Sequence, residues 1–173
     1  MKISGKNLKR RLYGVSRLRD RVRRARYFRG HGVHSPFVYA IVRQVFMRRS
    51  LTTADGGGMY DALIAAGIPR KRAVQLANLR VHIGAARWCI DVCPEASDTL
   101  AVVSTAVPHT SLAEYVVEAR KTSSTLAIMV PYLNRDRDRV CREIVAAHTG
   151  TTVDNRGFLL VFNRDLPKQH FRL

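Results

Sequence analysis

An α/β fold with a mostly parallel sheet is what this sequence predicts, on three observations. Short apolar runs bounded by turn residues recur at 88–92, 100–103 and 126–130, the pattern of strands covered on both faces. Between the last two, a stretch of helical period opens at Ser111 and runs through Leu112, Tyr115, Val116 and Ala119, giving a βαβ unit whose right-handed crossover makes its strands parallel. The chain then closes with Thr151 to Asp154, an Asn155-Arg156-Gly157 turn and the apolar strand Phe158 to Phe162, which reads as an antiparallel hairpin.

Taken in order, the elements begin with a basic helix. From Asn7 to about Tyr27, Leu8, Leu12, Val15, Leu18, Val22 and Ala25 recur at spacings of four and three, an amphipathic stripe, with guanidinium groups around it. Residues 1–50 hold 15 Lys and Arg against the single acid Asp20, while the remaining 123 residues are nearly balanced. The chain therefore divides into a basic helical extension, 1–50, and an α/β body, 51–173. Of the total charge of +17, most sits in that extension. Arg outnumbers Lys there, and guanidinium binds phosphate bidentately, so Arg17, Arg19, Arg21, Arg23, Arg24 and Arg26 are candidate polyanion contacts. Nucleic acid, RNA first, is the expected partner; an anionic membrane and a merely solvated helix face are the rival readings.

Ser35 and Pro36 start a second helix, as N-cap and first helical residue, and Phe37, Val38, Ile41, Val42, Val45 and Phe46 give it a broad apolar face to bury. After a loop at 50–58, short helices are expected near Met59 to Ala66 and Arg70 to Val81, separated by Gly67-Ile68-Pro69. Trp88 is expected in the core. The last helix should run from an Asn134 cap to about Ala147, with Asp138 and Arg142 as an outward i,i+4 pair.

The sequence lacks a run of about 18 apolar residues, and its basic start is not followed by an apolar signal core. Cys89, Cys93 and Cys141 form no Cys-x-x-Cys pair, which disfavours a standard zinc site and a disulfide framework. A reducing, cytoplasmic setting is the expectation, with no bound metal.

The segment Gly30-His31-Gly32-Val33-His34-Ser35-Pro36-Phe37-Val38-Tyr39 resembles the N-terminal signature of class I S-adenosylmethionine-dependent methyltransferase-like proteins of the Bacteroidetes. A second stretch, about 98–171, looks like the C-terminal half of the same Rossmann-like fold, whose last two strands pair antiparallel at the sheet edge. The resemblance implies a reduced Rossmann-like sheet and S-adenosylmethionine as cofactor. Such proteins carry an acid-x-Gly-x-Gly loop after the first strand, where glycine lets the backbone approach the cofactor. This chain has no full equivalent: Gly56-Gly57-Gly58 follows no strand, and Val81-His82-Ile83-Gly84 offers one glycine. The missing length falls between residues 50 and 97. An edge exposed by that loss would favour a homodimer.

Candidate site residues follow from where open α/β sheets bind ligands, beyond the carboxyl ends of their strands. His109 is the candidate general base or substrate contact, weighed against an ordinary loop histidine. Asp91 is the nearest candidate for the carboxylate on a cofactor ribose. Tyr132 and Asn134 could contact a base or an adenine, although Asn134 also reads as a helix cap. His31 and His34 either satisfy backbone groups in their turn or lie over the cleft and touch substrate. Two functions from different classes result. One is methyl transfer, implied by the resemblance and catalytically degenerate where the glycine loop is missing; the other is non-catalytic RNA binding through the Arg-rich helix.

Overall fold

A computed structural model describes residues 33–53 and 58–173. The six arginines singled out above, together with His31, lie outside these residues. The chain order is α1 (Pro36–Ile41, continuing as a π-helical turn Val42–Phe46), α2 (Met59–Ala65), α3 (Arg70–Ile83), β1 (Arg87–Ile90) and β2 (Thr99–Val103). There follow α4 (Leu112–Lys121), β3 (Thr125–Met129), α5 (Arg135–Ala147), β4 (Thr151–Asp154), β5 (Phe158–Phe162) and β6 (Gln169–Arg172). The six strands form one mixed sheet in the order β1-β2-β3-β5-β4-β6. β1, β2 and β3 are parallel neighbours, β5 runs antiparallel to both β3 and β4, and β6 is parallel to β4.

Alternation along the strands splits the core into two. Leu100, Val102, Ala127, Met129, Phe158, Leu160 and Phe162 point to one face and pack with α1, α2 and α3. Ala101, Val103, Leu126, Ile128, Leu159 and Val161 point to the other and pack with α4 and α5. The three-layer α/β/α sandwich buries β2, β3 and β5 completely, so their continuous apolar sequences are what a sheet covered on both faces requires.

Local signals explain the helix ends. Ser35 Oγ accepts from the Val38 amide at 3.4 Å, with Pro36 behind it, and Asn134 Oδ1 accepts from the Arg137 amide at 2.8 Å. Gly84, at φ +69°, ends α3 in the left-handed conformation, and the Ala85 amide reaches back to the Arg80 carbonyl at 3.0 Å. In α1, Val38, Ile41, Val42 and Val45 are fully buried in the same core as the sheet.

Four details differ from the sequence reading. The closing hairpin forms, but β4 is not the edge: β6, a polar segment without alternation, adds outside it by main-chain pairing. Trp88 is half-buried because β1 is itself an edge strand, packed on the core through Trp88 and Ile90. Asp138 does not face outward. Its side chain is 4% exposed while that of its partner Arg142 is 73% exposed, so the arginine folds back over a buried carboxylate. Finally, β1 ends at Ile90 rather than at residue 92, and residues 91–98 join it to its parallel neighbour β2 without any helix, a short crossover. Left-handed backbone at Asp91 (φ 56°) and Asp98 (φ 54°) turns the chain at its two ends. Thr99 and Ser124 hydroxyls fix its middle on the Ala96 carbonyl, at 2.7 and 3.1 Å.

The end of α5 carries a pH-sensitive contact. His148 is buried, with Nε2 3.0 Å from the Phe162 carbonyl, a geometry that requires Nε2 to donate. Burial pushes its pKa below the ordinary 6.5, outweighing the hydrogen bond to Phe162, and Arg120 and Lys168 push the same way as burial. The unfolded chain therefore takes up this proton first as pH falls. Full stability is expected above about pH 6.5, with a loss as pH drops below it toward the depressed folded value. Urea midpoints for the wild type and His148→Gln between about pH 7.5 and about pH 5 check this: the variant should lose less stability on acidification. Parallel curves would remove His148 as the cause.

Candidate functional site

The carboxyl ends of β1, β2, β3 and β4 share one edge of the sheet, because β5 reverses between β3 and β4. That edge is where an open α/β sheet would bind a ligand. Asp91 follows β1 and turns back on itself at positive φ. One carboxylate oxygen accepts from the Ser104 amide and the other from the Ser104 hydroxyl, both at 2.6 Å. Tyr115, rising from α4, donates to the Asp91 carbonyl at 2.7 Å, and burial raises its phenol above the ordinary value. Asp91 is therefore a clasp between the ends of β1 and β2, with each oxygen already engaged.

Arg137 completes the closure from α5. It is 1% exposed, and its guanidinium donates to three carbonyls: Met129 at 3.2 Å, Val107 at 2.8 Å and Ser104 at 2.9 Å. These carbonyls come from the end of β3 and the loop after β2. The side chain thus occupies the gap between the two strand ends and replaces the water or ligand that their orphan acceptors would otherwise need. Burial lowers its pKa.

The other sequence candidates are distributed along this edge rather than converging. Tyr132 donates to the buried Asp154 carboxylate, which also accepts from the Arg156 amide at 2.8 Å. Asn134 is the α5 cap. His109 is partly exposed in a 3-10 turn, His109–Ser111, leading into α4. His34 is exposed on the α1 side of the molecule. No group of three His, Cys, Asp or Glu among the described residues could hold a metal ion. Burial first, then the Cys93 and Glu95 charges, push Cys89 up to about 11, and burial pushes Cys141 up to about 12. Neither is a thiolate nucleophile near neutral pH.

The Asp91 carboxylate, the candidate for a ribose contact, is held by Ser104, and Arg137 fills the gap between the ends of β2 and β3. No family model, curated protein sequence or solved structure matches the chain.

A second concavity lies on the opposite helical layer. Where the π-helical turn after α1 meets the start of α3 there is a cavity of about 740 Å³. It is lined by the buried Phe46 and Val74, by the exposed Met47, and by the exposed cations Arg48, Arg49, Arg70 and Lys71. Sequence reasoning missed the pairing of these segments, because only long-range contacts bring them together. Gln75 and Asn78, both buried on α3, make those contacts. Gln75 Nε2 donates to the Phe46 carbonyl at 2.8 Å, Asn78 Nδ2 donates to the Ser50 carbonyl at 2.9 Å, and Asn78 Oδ1 accepts from the Thr52 amide at 2.8 Å. Two uncharged polar side chains inside a helix that buries most of its length were the available signal.

The two helical layers differ in how their charges are treated. On α4 and α5, Lys121 pairs with Glu118, Arg139 with Asp136 and Glu143, and Arg142 with Asp138. On the α1–α3 layer, Arg43, Arg48, Arg49, Arg70 and Lys71 form no ion pair with any described residue, and the sequence from 36 to 83 offers only two acids, Asp55 and Asp61.

Proposed function

We propose that this chain is a non-catalytic nucleic-acid-binding protein, RNA ahead of DNA, on a reduced methyltransferase-like scaffold. The observation that carries the reading is the group Arg43, Arg48, Arg49, Arg70 and Lys71 on the α1–α3 layer, without an ion pair among the described residues, set against α4 and α5, where Lys121, Arg139 and Arg142 are ion-paired. Like charges held together cost stability, and counter-ions released on binding a phosphate chain recover it. The Arg-rich segment 9–26 precedes α1 in sequence and supplies the same chemistry. Support for the scaffold comes from parallel strands followed by an antiparallel hairpin, the order that the methyltransferase resemblance implies. The clasp at Asp91 and the Arg137 closure argue against methyl transfer on that scaffold.

Two measurements test the reading. Fluorescence anisotropy with a labelled single-stranded RNA should give an affinity that falls steeply with salt. Replacing Arg17, Arg19, Arg21, Arg23 and Arg24 with Gln should remove most of it. No RNA or DNA binding at low salt sinks the proposal, as does flotation with anionic liposomes in its place. Calorimetry with S-adenosylmethionine should be silent at about millimolar ligand; a stoichiometric heat would restore the enzyme reading.

A further inference from the structure

We infer that the cavity between the π-helical turn and the start of α3 is a nucleotide-binding cleft, which takes one unit of a single-stranded RNA with its flanking phosphates on Arg48, Arg49, Arg70 and Lys71. The inference rests on the RNA-binding reading above and adds a location and a stoichiometry to it.

Size comes first. A cavity of about 740 Å³ falls within the range of small-molecule sites and exceeds what a phosphate ion needs, so the space suits a nucleoside between two phosphates. Its lining combines apolar Phe46, Met47 and Val74, which suit a base, with four exposed cations, which suit the phosphates.

Charge placement is the second ground. Arg70 and Lys71 occupy the first turn of α3, whose N-cap is Pro69, with no acid in that turn and no side-chain cap. Cations at the positive end of a helix dipole are unfavourable, and an anion bound at that end relieves both the helix and the side chains. Arg48 and Arg49 face the same space from the other wall and likewise have no carboxylate partner among the described residues.

Preorganisation is the third. The segment carrying Arg48 and Arg49 is held on both sides, at the Phe46 carbonyl by Gln75 and at Ser50 and Thr52 by Asn78. A π-helical turn, closed by the Met47 amide on the Val42 carbonyl at 3.1 Å, sets where that segment leaves α1. The rim cations thus sit on fixed backbone while their side chains are exposed. A concave one-nucleotide space admits an unstacked base, which a duplex does not offer.

The test uses the full chain and a fluorescein-labelled single-stranded RNA of mixed sequence. The quadruple variant Arg48→Gln, Arg49→Gln, Arg70→Gln, Lys71→Gln should bind about tenfold or more weakly, with the salt slope reduced by about 2. A duplex of the same sequence should bind the wild type more weakly than the strand. RNA carrying 4-thiouridine should cross-link to peptides spanning 46–49 or 70–74, a readout that does not depend on how well the variant folds. Unchanged affinity in the quadruple variant, with cross-links confined to residues 1–32, overturns the cleft while leaving the RNA-binding reading intact. Absence of any RNA affinity in the wild type overturns both. Binding of phosphatidylserine vesicles that the same four substitutions abolish, without RNA binding, assigns the rim to a lipid surface and overturns the proposal as well.

Discussion

Arg137→Met is expected to lower the free energy of unfolding by about 3–5 kcal/mol, close to the whole stability margin of many domains this size. The substitution keeps an apolar stem of similar length and removes the three-way donor. Left behind are the carbonyls of Ser104, Val107 and Met129, buried acceptors that no other described side chain serves through the bonds above. Each unsatisfied buried carbonyl costs about 1–3 kcal/mol, and hydrogen bonds from a charged donor are stronger than neutral ones. Arg137→Lys should recover only part of the loss, since an ammonium is a point donor and cannot span two strand ends with a planar fork. Urea denaturation of the three proteins measures the series. A loss under about 1 kcal/mol for Arg137→Met would mean that water enters and serves the carbonyls, so the strand-end gap is a hydrated crevice rather than a closed one. In that event the ligand-free reading of this edge fails along with the prediction.

The same residue shows where reading the sequence stopped. Strand positions were legible because a sheet covered on both faces needs uninterrupted apolar runs, and 100–103, 126–130 and 158–162 supply them. The caps at Ser35 and Asn134 were legible because capping is a local bond across three residues. The run Arg135-Asp136-Arg137-Asp138-Arg139 was misleading. Asp138 reads as half of an outward pair with Arg142, yet Arg137 and Asp138 share the buried face with Cys141 and Ile144. Their burial depends on carbonyls from β2 and β3, which are far away in sequence. Polar β6 gave no signal for the same reason: its pairing with β4 is main-chain pairing, which no side-chain pattern encodes. Of the candidate site, Asp91, Tyr132 and Asn134 were correctly placed at strand ends. Ser104 and Asp154, the partners of Asp91 and Tyr132, were not legible, because they come from other strands, whereas the Asn134 cap was.

Phe158→Ala is the second large effect expected, again about 3–5 kcal/mol, and its cause is apolar rather than polar. The ring is fully buried at the start of β5 and sits edge-on to Phe46, with centroids 5.8 Å apart and planes at 70°. On another side the Arg72 guanidinium lies 5.8 Å from the ring centroid, itself tied to Gln75 at 2.7 Å. Truncation removes the transfer free energy of the ring and leaves a void lined by a strand on one side and α1 and α3 on the other. The sheet register, fixed by Met129 opposite Phe158, prevents that void from collapsing. Phe158→Leu fills most of the space and should cost about 1 kcal/mol. The pair of variants also separates stability from binding. Phe46 lines the cleft, but the rim cations are fixed by Gln75 and Asn78, which Phe158 does not touch through any of these bonds. Phe158→Leu should therefore bind single-stranded RNA as the wild type does. An affinity loss in that variant at unchanged thermal stability would mean that the aromatic contact beneath the cleft, and not the polar pins beside it, sets the position of Arg48 and Arg49.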